Sequence, residues 1–132
     1  MLLPEVKKHY GKLKFLIGGE WVDSKSTRIE SDPNPATGET IAELPQATPE
    51  EALAAVGAAH AAFQSWKNVP MRERAYMLFT MHNKFREKTD MLCRVLVQDH
   101  GRTIDEAKGT LARVLENIES ACSAAYGLVK EN

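Results

Sequence analysis

Cysteine is scarce in this sequence, and neither sign of charge is in excess. Only two of the 132 residues are cysteines, Cys93 and Cys122, and both lie among apolar positions at helical spacing. A secreted domain of this size that depended on disulfides would usually carry more of them. The 17 basic and 18 acidic residues give a formal charge of -1, so no basic excess is present to displace counterions from a phosphate backbone. We therefore expect a reducing compartment and no nucleic-acid partner.

Long apolar runs are also missing. No stretch approaches the roughly 18 apolar residues that a membrane-spanning helix needs, so no membrane partner is expected. At the start of the chain, Met1-Leu2-Leu3 is followed at once by Pro4 and Glu5, without the apolar segment of a secretory signal. The predicted location is cytoplasmic, or the mitochondrial matrix if the protein is eukaryotic.

The common signatures of catalysis and of metal binding are absent as well. The sequence has no G-x-G-x-x-G after a strand, no G-K-[ST] phosphate loop, no H-E-x-x-H and no C-x-x-C. His60 and His82 have no second ligand at metal-site spacing, so we interpret them as packing residues of helix faces. Cys93 and Cys122 lie inside helical stripes, where a small apolar side chain packs well, and we interpret them in the same way.

The first third of the chain predicts two short strand pairs. Gly18-Gly19 separates Phe15-Leu16-Ile17 from Glu20-Trp21-Val22, and a two-residue glycine turn suits a hairpin. A second pair is predicted from 27–31 and 40–44, on either side of the turn residues 34–39. Because isolated hairpins are marginal in water, these strands are expected to pack on something else.

The rest of the chain predicts four helices. Thr48-Pro49-Glu50-Glu51 combines a threonine cap, a proline at the first helical position and a capping glutamate. Two further helices are expected at about 71–88 and 89–101, and a long one begins at Thr103 with Glu106 as its capping partner and reaches residue 132 without a closing cap. Each has an apolar stripe at helical spacing. The stripe of the first helix consists of Leu53, Val56, His60, Phe63 and Trp66.

Taken in order, these segments resemble the amino-terminal quarter of an aldehyde dehydrogenase. The resemblance covers about residues 12–132 and lies in the hairpin, the Asn34-Pro35-Ala36-Thr37-Gly38-Glu39 turn, the helix from Thr48, and Asp99-His100-Gly101-Arg102. Within the family, the methylmalonate-semialdehyde dehydrogenases are the most similar branch. The residues that point to this branch are Glu20-Trp21-Val22-Asp23-Ser24-Lys25, Gly109-Thr110-Leu111-Ala112-Arg113, Glu116-Asn117-Ile118-Glu119 and Ala121-Cys122-Ser123.

The resemblance implies an α/β fold overall, of which this chain is a mainly α-helical part with short antiparallel hairpins. Residues 1–132 would belong to the cofactor-binding domain, as an arm at 1–13, hairpins at 14–47 and four helices at 48–132. The full-length enzyme would use NAD and coenzyme A to convert a semialdehyde to propionyl-CoA or acetyl-CoA, as a homo-oligomer, a tetramer. The catalytic cysteine and the NAD strands of the family come later than this chain reaches. The resemblance therefore implies an inactive chain with no catalytic or cofactor-binding residue and no bound cofactor.

Two candidate sites follow from the resemblance. Arg113 matches the family arginine that holds the substrate carboxylate, a role suited to a planar cation that pairs bidentately. The alternative is an arginine on a solvated helix face. Asp32, Pro33 and Asp99 match a monovalent cation site of some family members, built from oxygen ligands; the alternative for the aspartates is ordinary surface carboxylates.

Two other functions fit the same residues. One is a non-acylating aldehyde dehydrogenase for another aldehyde, because related semialdehyde and lactaldehyde enzymes carry an arginine at the same place. The other is a free-standing, non-catalytic helical interaction module derived from a dehydrogenase.

Overall fold

The computed structural model describes residues 6–128, which form two compact units. Residues 7–68 make up the amino-terminal unit, and residues 69–128 together with Val6 make up the helical unit. The predicted arm falls partly on residues 1–5 and the end of the predicted long helix on 129–132, both outside the described residues. The elements in chain order are β1 (Phe15–Ile17), β2 (Glu20–Val22), β3 (Ile29–Pro33), β4 (Thr40–Pro45), α1 (Pro49–Trp66), α2 (Met71–Glu87), α3 (Thr89–His100) and α4 (Ile104–Leu128).

The amino-terminal unit contains two separate antiparallel strand pairs. β1 pairs with β2 across Gly18 and Gly19, which have φ values of 62° and 87°. β3 pairs with β4 in a register that shifts between Asp32 and Pro33. The turn between them is held by Asn34, whose carbonyl accepts from the N–H of Gly38 at 2.8 Å. Both predicted hairpins are confirmed. β3 begins and ends two residues later than predicted, and β4 ends one residue later.

α1 begins with the predicted capping box. The N–H of Glu51 donates to Thr48 Oγ1 at 3.2 Å, and the Glu51 carboxylate accepts from the N–H of Thr48 at 2.9 Å. The same carboxylate accepts from the N–H of Lys25 at 2.7 Å and from Ser24 Oγ at 2.9 Å. One glutamate thus caps the helix and fixes the loop that follows β2.

The apolar stripe predicted for α1 does not form a core. No residue of α1 is buried, and the side that meets β1 carries the small residues Ala52, Ala55 and Ala58. A Cβ placed on Gly18 would lie 3.9 Å from the Cβ of Ala58. The interpretation of His60 as a packing residue is wrong, because its ring is exposed. Its Nε2 lies 3.2 Å from Nε2 of Gln64, one turn along the same helix.

The helical unit holds most of the buried apolar side chains among residues 6–128. α4 packs against both α2 and α3, and its stripe at helical spacing buries Ala107, Leu111, Ile118 and Cys122. Cys93 of α3 joins Ala107 and Leu111 in a cluster that half-buried side chains of α2, α3 and α4 surround. At about 1.5 Å per residue, the 25 residues of α4 extend some 37 Å, so one helix supports the other two.

Local signals fix the ends of these helices as predicted. α3 ends at Gly101, in the left-handed conformation at φ 64°. Thr103 and Glu106 form the second capping box, with the Thr103 N–H donating to the Glu106 carboxylate at 2.9 Å. Only Lys88 separates α2 from α3, and its N–H still bonds back to Lys84 and Phe85 of α2.

Candidate functional site

Arg113 lies in the middle of α4 with its side chain exposed. Val114, the next residue, packs on the core cluster, so the helix cannot rotate without losing that contact. Among residues 6–128 no hydrogen bond or ion pair engages the Arg113 guanidinium, although Glu116 follows one turn later. Its five donors are therefore open to a ligand.

Gly109 leaves room on the Arg113 side of α4. It lies four residues before Arg113, and residues at that spacing are neighbours on a helix surface. A Cβ built on Gly109 would meet nothing within 4 Å. A ligand held by Arg113 could therefore approach the helix backbone closely at this turn.

Arg102 is a cation near this surface that sequence reasoning did not single out. Its Nη1 donates to Thr110 Oγ1 at 3.2 Å, and Thr110 lies three residues before Arg113, again a neighbour on the helix surface. The sequence gives no signal for this contact, because Arg102 precedes the helix and its side chain could turn either way.

The two thiols are packing residues, as predicted. Cys93 is 1% exposed and Cys122 is fully buried, and the Cys122 thiol donates to the carbonyl of Ala75 on α2 at 3.6 Å. Burial raises the pKa of the Cys93 thiol, with the negative charge of Asp90 acting in the same direction. Both thiols are buried and cannot reach a substrate, so neither cysteine can act as a nucleophile in this fold.

The structure confirms the interpretation of His82 as a packing residue and shows a contact partner for its ring. The ring is buried on α2 and its Nε2 lies 2.8 Å from Glu119 Oε1 of α4. The geometry is not that of a hydrogen bond, and Nε2 counts as a buried atom without a hydrogen-bond partner among the described residues. The contact joins α2 to α4 within the helical unit.

The two aspartates of the predicted cation site belong to different units. Asp32 is half-buried at the register shift of β3. Asp99 lies in the last turn of α3, with Oδ2 3.0 Å from Nε2 of His100. Residues 6–128 contain no group of three or more histidine, cysteine, aspartate or glutamate side chains able to hold a metal. A shared monovalent cation stays a prediction.

The family model described as the aldehyde dehydrogenase family matches residues 21–132. The chain belongs to the aldehyde dehydrogenase family. Malonate-semialdehyde dehydrogenase 1 of Geobacillus kaustophilus is 40% identical over 120 residues, which is 91% of this chain and 25% of that relative. The chain thus spans about a quarter of the length of the curated relatives it matches.

Solved structures of this family confirm the fold. The methylmalonate-semialdehyde dehydrogenase of Oceanimonas doudoroffii matches with a TM-score of 0.81 at 35% identity, over 86% of this chain and 23% of that one. The NAD-dependent benzaldehyde dehydrogenase of Corynebacterium glutamicum matches with a TM-score of 0.80 at 28% identity, over 85% and 24%. The predicted aldehyde dehydrogenase resemblance and α/β fold, mainly helical in this part, are both confirmed. No helix within residues 6–128 is long and apolar enough to cross a membrane.

Proposed function

We propose that this chain is the amino-terminal segment of an NAD-dependent, coenzyme A-acylating methylmalonate- or malonate-semialdehyde dehydrogenase. The relatives named for these substrates are its support within the family. Such a semialdehyde carries a carboxylate at one end and the reacting aldehyde at the other. An enzyme that selects it needs a fixed cation for the carboxylate, separate from the groups that do the chemistry.

Arg113 supplies that cation, and the proposal depends on the exposure of its side chain. Its guanidinium is exposed and free of partners among the described residues, and it is carried by the best-packed helix of the chain. Gly109 leaves the adjacent turn open. The proposed role is to bind and orient the substrate by its carboxylate, with a bidentate pair that a neutral aldehyde could not form.

We place the binding of NAD and coenzyme A in the part of the enzyme outside this chain. A helix amino terminus is the usual place for a phosphate, but Glu51 and Glu106 already fill those of α1 and α4 with carboxylates. Hydride transfer to NAD and acyl transfer to coenzyme A, as well as a tetrameric assembly, are proposed for the whole enzyme.

The role of Arg113 can be tested in a chimera. This chain replaces the matched 120 residues of the Geobacillus kaustophilus relative, and steady-state kinetics are compared on malonate semialdehyde and on propanal. Arg113→Ala should raise the KM for the carboxylated substrate about tenfold to a hundredfold, the loss of one charge-assisted contact of about 1.5–3 kcal/mol, and leave propanal unchanged.

The matched control is Lys108→Ala. It removes a positive charge from another side of the same helix, where Lys108 lies 3.7 Å from Asp105, and it should change neither KM. An equal loss on both substrates with Arg113→Ala would assign the arginine to the fold instead.

A non-acylating aldehyde dehydrogenase is the second candidate, favoured by the likeness to the benzaldehyde enzyme. The chimera does not decide this point, because the chemistry would come from the relative. The deciding observation is whether the complete natural enzyme that contains this chain forms an acyl-CoA or a free acid.

A further inference from the structure

The hydroxyl of Thr110 on α4 lies beside two arginines of the helical unit. Its Oγ1 accepts a hydrogen bond from Nη1 of Arg102 at 3.2 Å, and Arg113 follows three residues later, as a neighbour on the helix surface. Long side chains on a helix lean toward its amino terminus, so Arg113 extends over the turn that contains Gly109 and Thr110. The two guanidinium groups and the hydroxyl therefore share one surface of the helix.

The hydrogen bond from Arg102 leaves the proton of the Thr110 hydroxyl unused. A guanidinium has donors and no acceptor, so Thr110 Oγ1 is the acceptor in this bond. A threonine in a helix can give its own proton to the carbonyl four residues earlier, as Thr80 and Thr89 do at 3.1 Å and 3.2 Å. Within residues 6–128 the bond from Arg102 is the only one that the Thr110 side chain makes. Its proton is therefore available to a ligand.

The carboxylate one turn before Thr110 does not take this proton. Oε2 of Glu106 already accepts from the N–H and from the hydroxyl of Thr103, at 2.9 Å each. These two bonds lower the pKa of Glu106, and the positive charge of Arg102 acts in the same direction. Glu106 is therefore ionised at neutral pH and bound to the start of α4.

We propose that Thr110 is a second ligand of the substrate carboxylate and that Arg102 is the positioning residue that orients its hydroxyl. A carboxylate has about four lone-pair sites, so one that pairs bidentately with Arg113 can still accept the Thr110 proton. The open space at Gly109 admits such a group to the helix surface. A simple aldehyde has no carboxylate to engage these residues. The inference rests on the proposed function, because it adds a contact at the Arg113 site.

The role of Thr110 is tested by steady-state kinetics of the complete chimeric enzyme on malonate semialdehyde and on propanal. Thr110→Val keeps the shape of the side chain and removes the hydroxyl. It should raise the KM for malonate semialdehyde about tenfold, the loss of one hydrogen bond to a charged group, and leave kcat and KM for propanal unchanged. Thr110→Ser keeps the hydroxyl and should leave all of these constants unchanged.

The role of Arg102 is tested with Arg102→Met, which keeps a long side chain and removes the donors. It should raise the KM for malonate semialdehyde about fivefold, because the Thr110 hydroxyl loses the bond that orients it. The same substitution should have almost no effect once Thr110 is valine, since a positioning residue acts only through the group that it orients. An equal loss in both backgrounds would overturn the assignment of Arg102.

Thr80→Val is the matched control, because it removes a helical hydroxyl that donates to the carbonyl of Tyr76 on α2. It should change neither KM. An unchanged KM for malonate semialdehyde with Thr110→Val, or an equal rise for both substrates, would overturn the inference.

These results are distinguishable from failure of the proposed function. If Arg113→Ala raises the KM for malonate semialdehyde and Thr110→Val does not, the proposed function stands without a second ligand. If Arg113→Ala has no effect, the proposed function itself is contradicted. Thr110→Ala repeats the measurement if Thr110→Val lowers the melting temperature of the enzyme.

Discussion

α1 and α4 are the two longest helices, and they make opposite use of the same kind of pattern. Both begin with a threonine–glutamate capping box and both carry an apolar stripe at helical spacing. The stripe of α4 buries Ala107, Leu111, Ile118 and Cys122, whereas no residue of α1 is buried. The difference arises because α4 has two helices to pack against within its unit, while α1 contacts β1, a strand of three residues. Periodicity identifies an apolar face and does not supply the surface that covers it.

The largest test of this difference is a pair of leucine truncations. Leu111→Ala removes a side chain that is 3% exposed, and the resulting cavity should lower the free energy of unfolding by about 2–5 kcal/mol. Leu53→Ala removes the same atoms from a position that is 71% exposed and should change it by less than about 0.5 kcal/mol. Urea denaturation of the chain measures both. A loss of similar size at Leu53 would mean that α1 is covered within the chain after all.

An intermediate effect is expected from the caps. Thr48→Ala and Thr103→Ala each remove the hydroxyl that accepts an N–H at the start of a helix, which costs about 1 kcal/mol. The effect of the two substitutions on amide hydrogen exchange should differ. α1 has no buried side chain to hold it, so Thr48→Ala should increase amide hydrogen exchange along its first turns, whereas Thr103→Ala should leave the packed part of α4 protected. Equal exchange in the two helices would contradict the comparison.

The smallest effect is a pH dependence shared by the two helix starts. The backbone N–H of Thr48 lowers the pKa of Glu51, and that of Thr103 lowers the pKa of Glu106, both from an ordinary value of 4.5. Because the folded pKa is depressed, this stabilisation is complete above that value and is lost as the pH falls through the lower folded value. Glu51→Gln should remove the part of this pH dependence that comes from α1 and leave the part that comes from α4. Carboxylate titration by NMR would contradict this with a midpoint for Glu51 above 4.5.

Sequence reasoning succeeded where a structure depends on a few adjacent residues. The glycine turn at Gly18, the stop at Gly101 and both capping boxes are recognisable because turn and cap geometry admits few residue types. It failed at the α1 stripe, since burial depends on a partner that periodicity does not identify. It could not give Glu119 as the partner of His82, because that pairing depends on how α2 and α4 pack across 36 intervening residues.

The candidate site, too, could be predicted from the sequence only in part. That Arg113 would lie on α4 beside the core follows from helical spacing, but its freedom from partners and the open space at Gly109 needed the structure. The role of Arg113 and the cation at Asp32 and Asp99 stay predictions, because their ligands lie outside this chain.

The cysteines and the tryptophans, which can both serve as intrinsic probes, lie in different units of the chain. Both cysteines of the sequence, Cys93 and Cys122, lie in the helical unit, and both tryptophans, Trp21 and Trp66, lie in the amino-terminal unit. A thiol reagent can therefore label this protein only when the helical unit opens, while tryptophan fluorescence follows the other unit. The chain can report the unfolding of each half separately, without an added label.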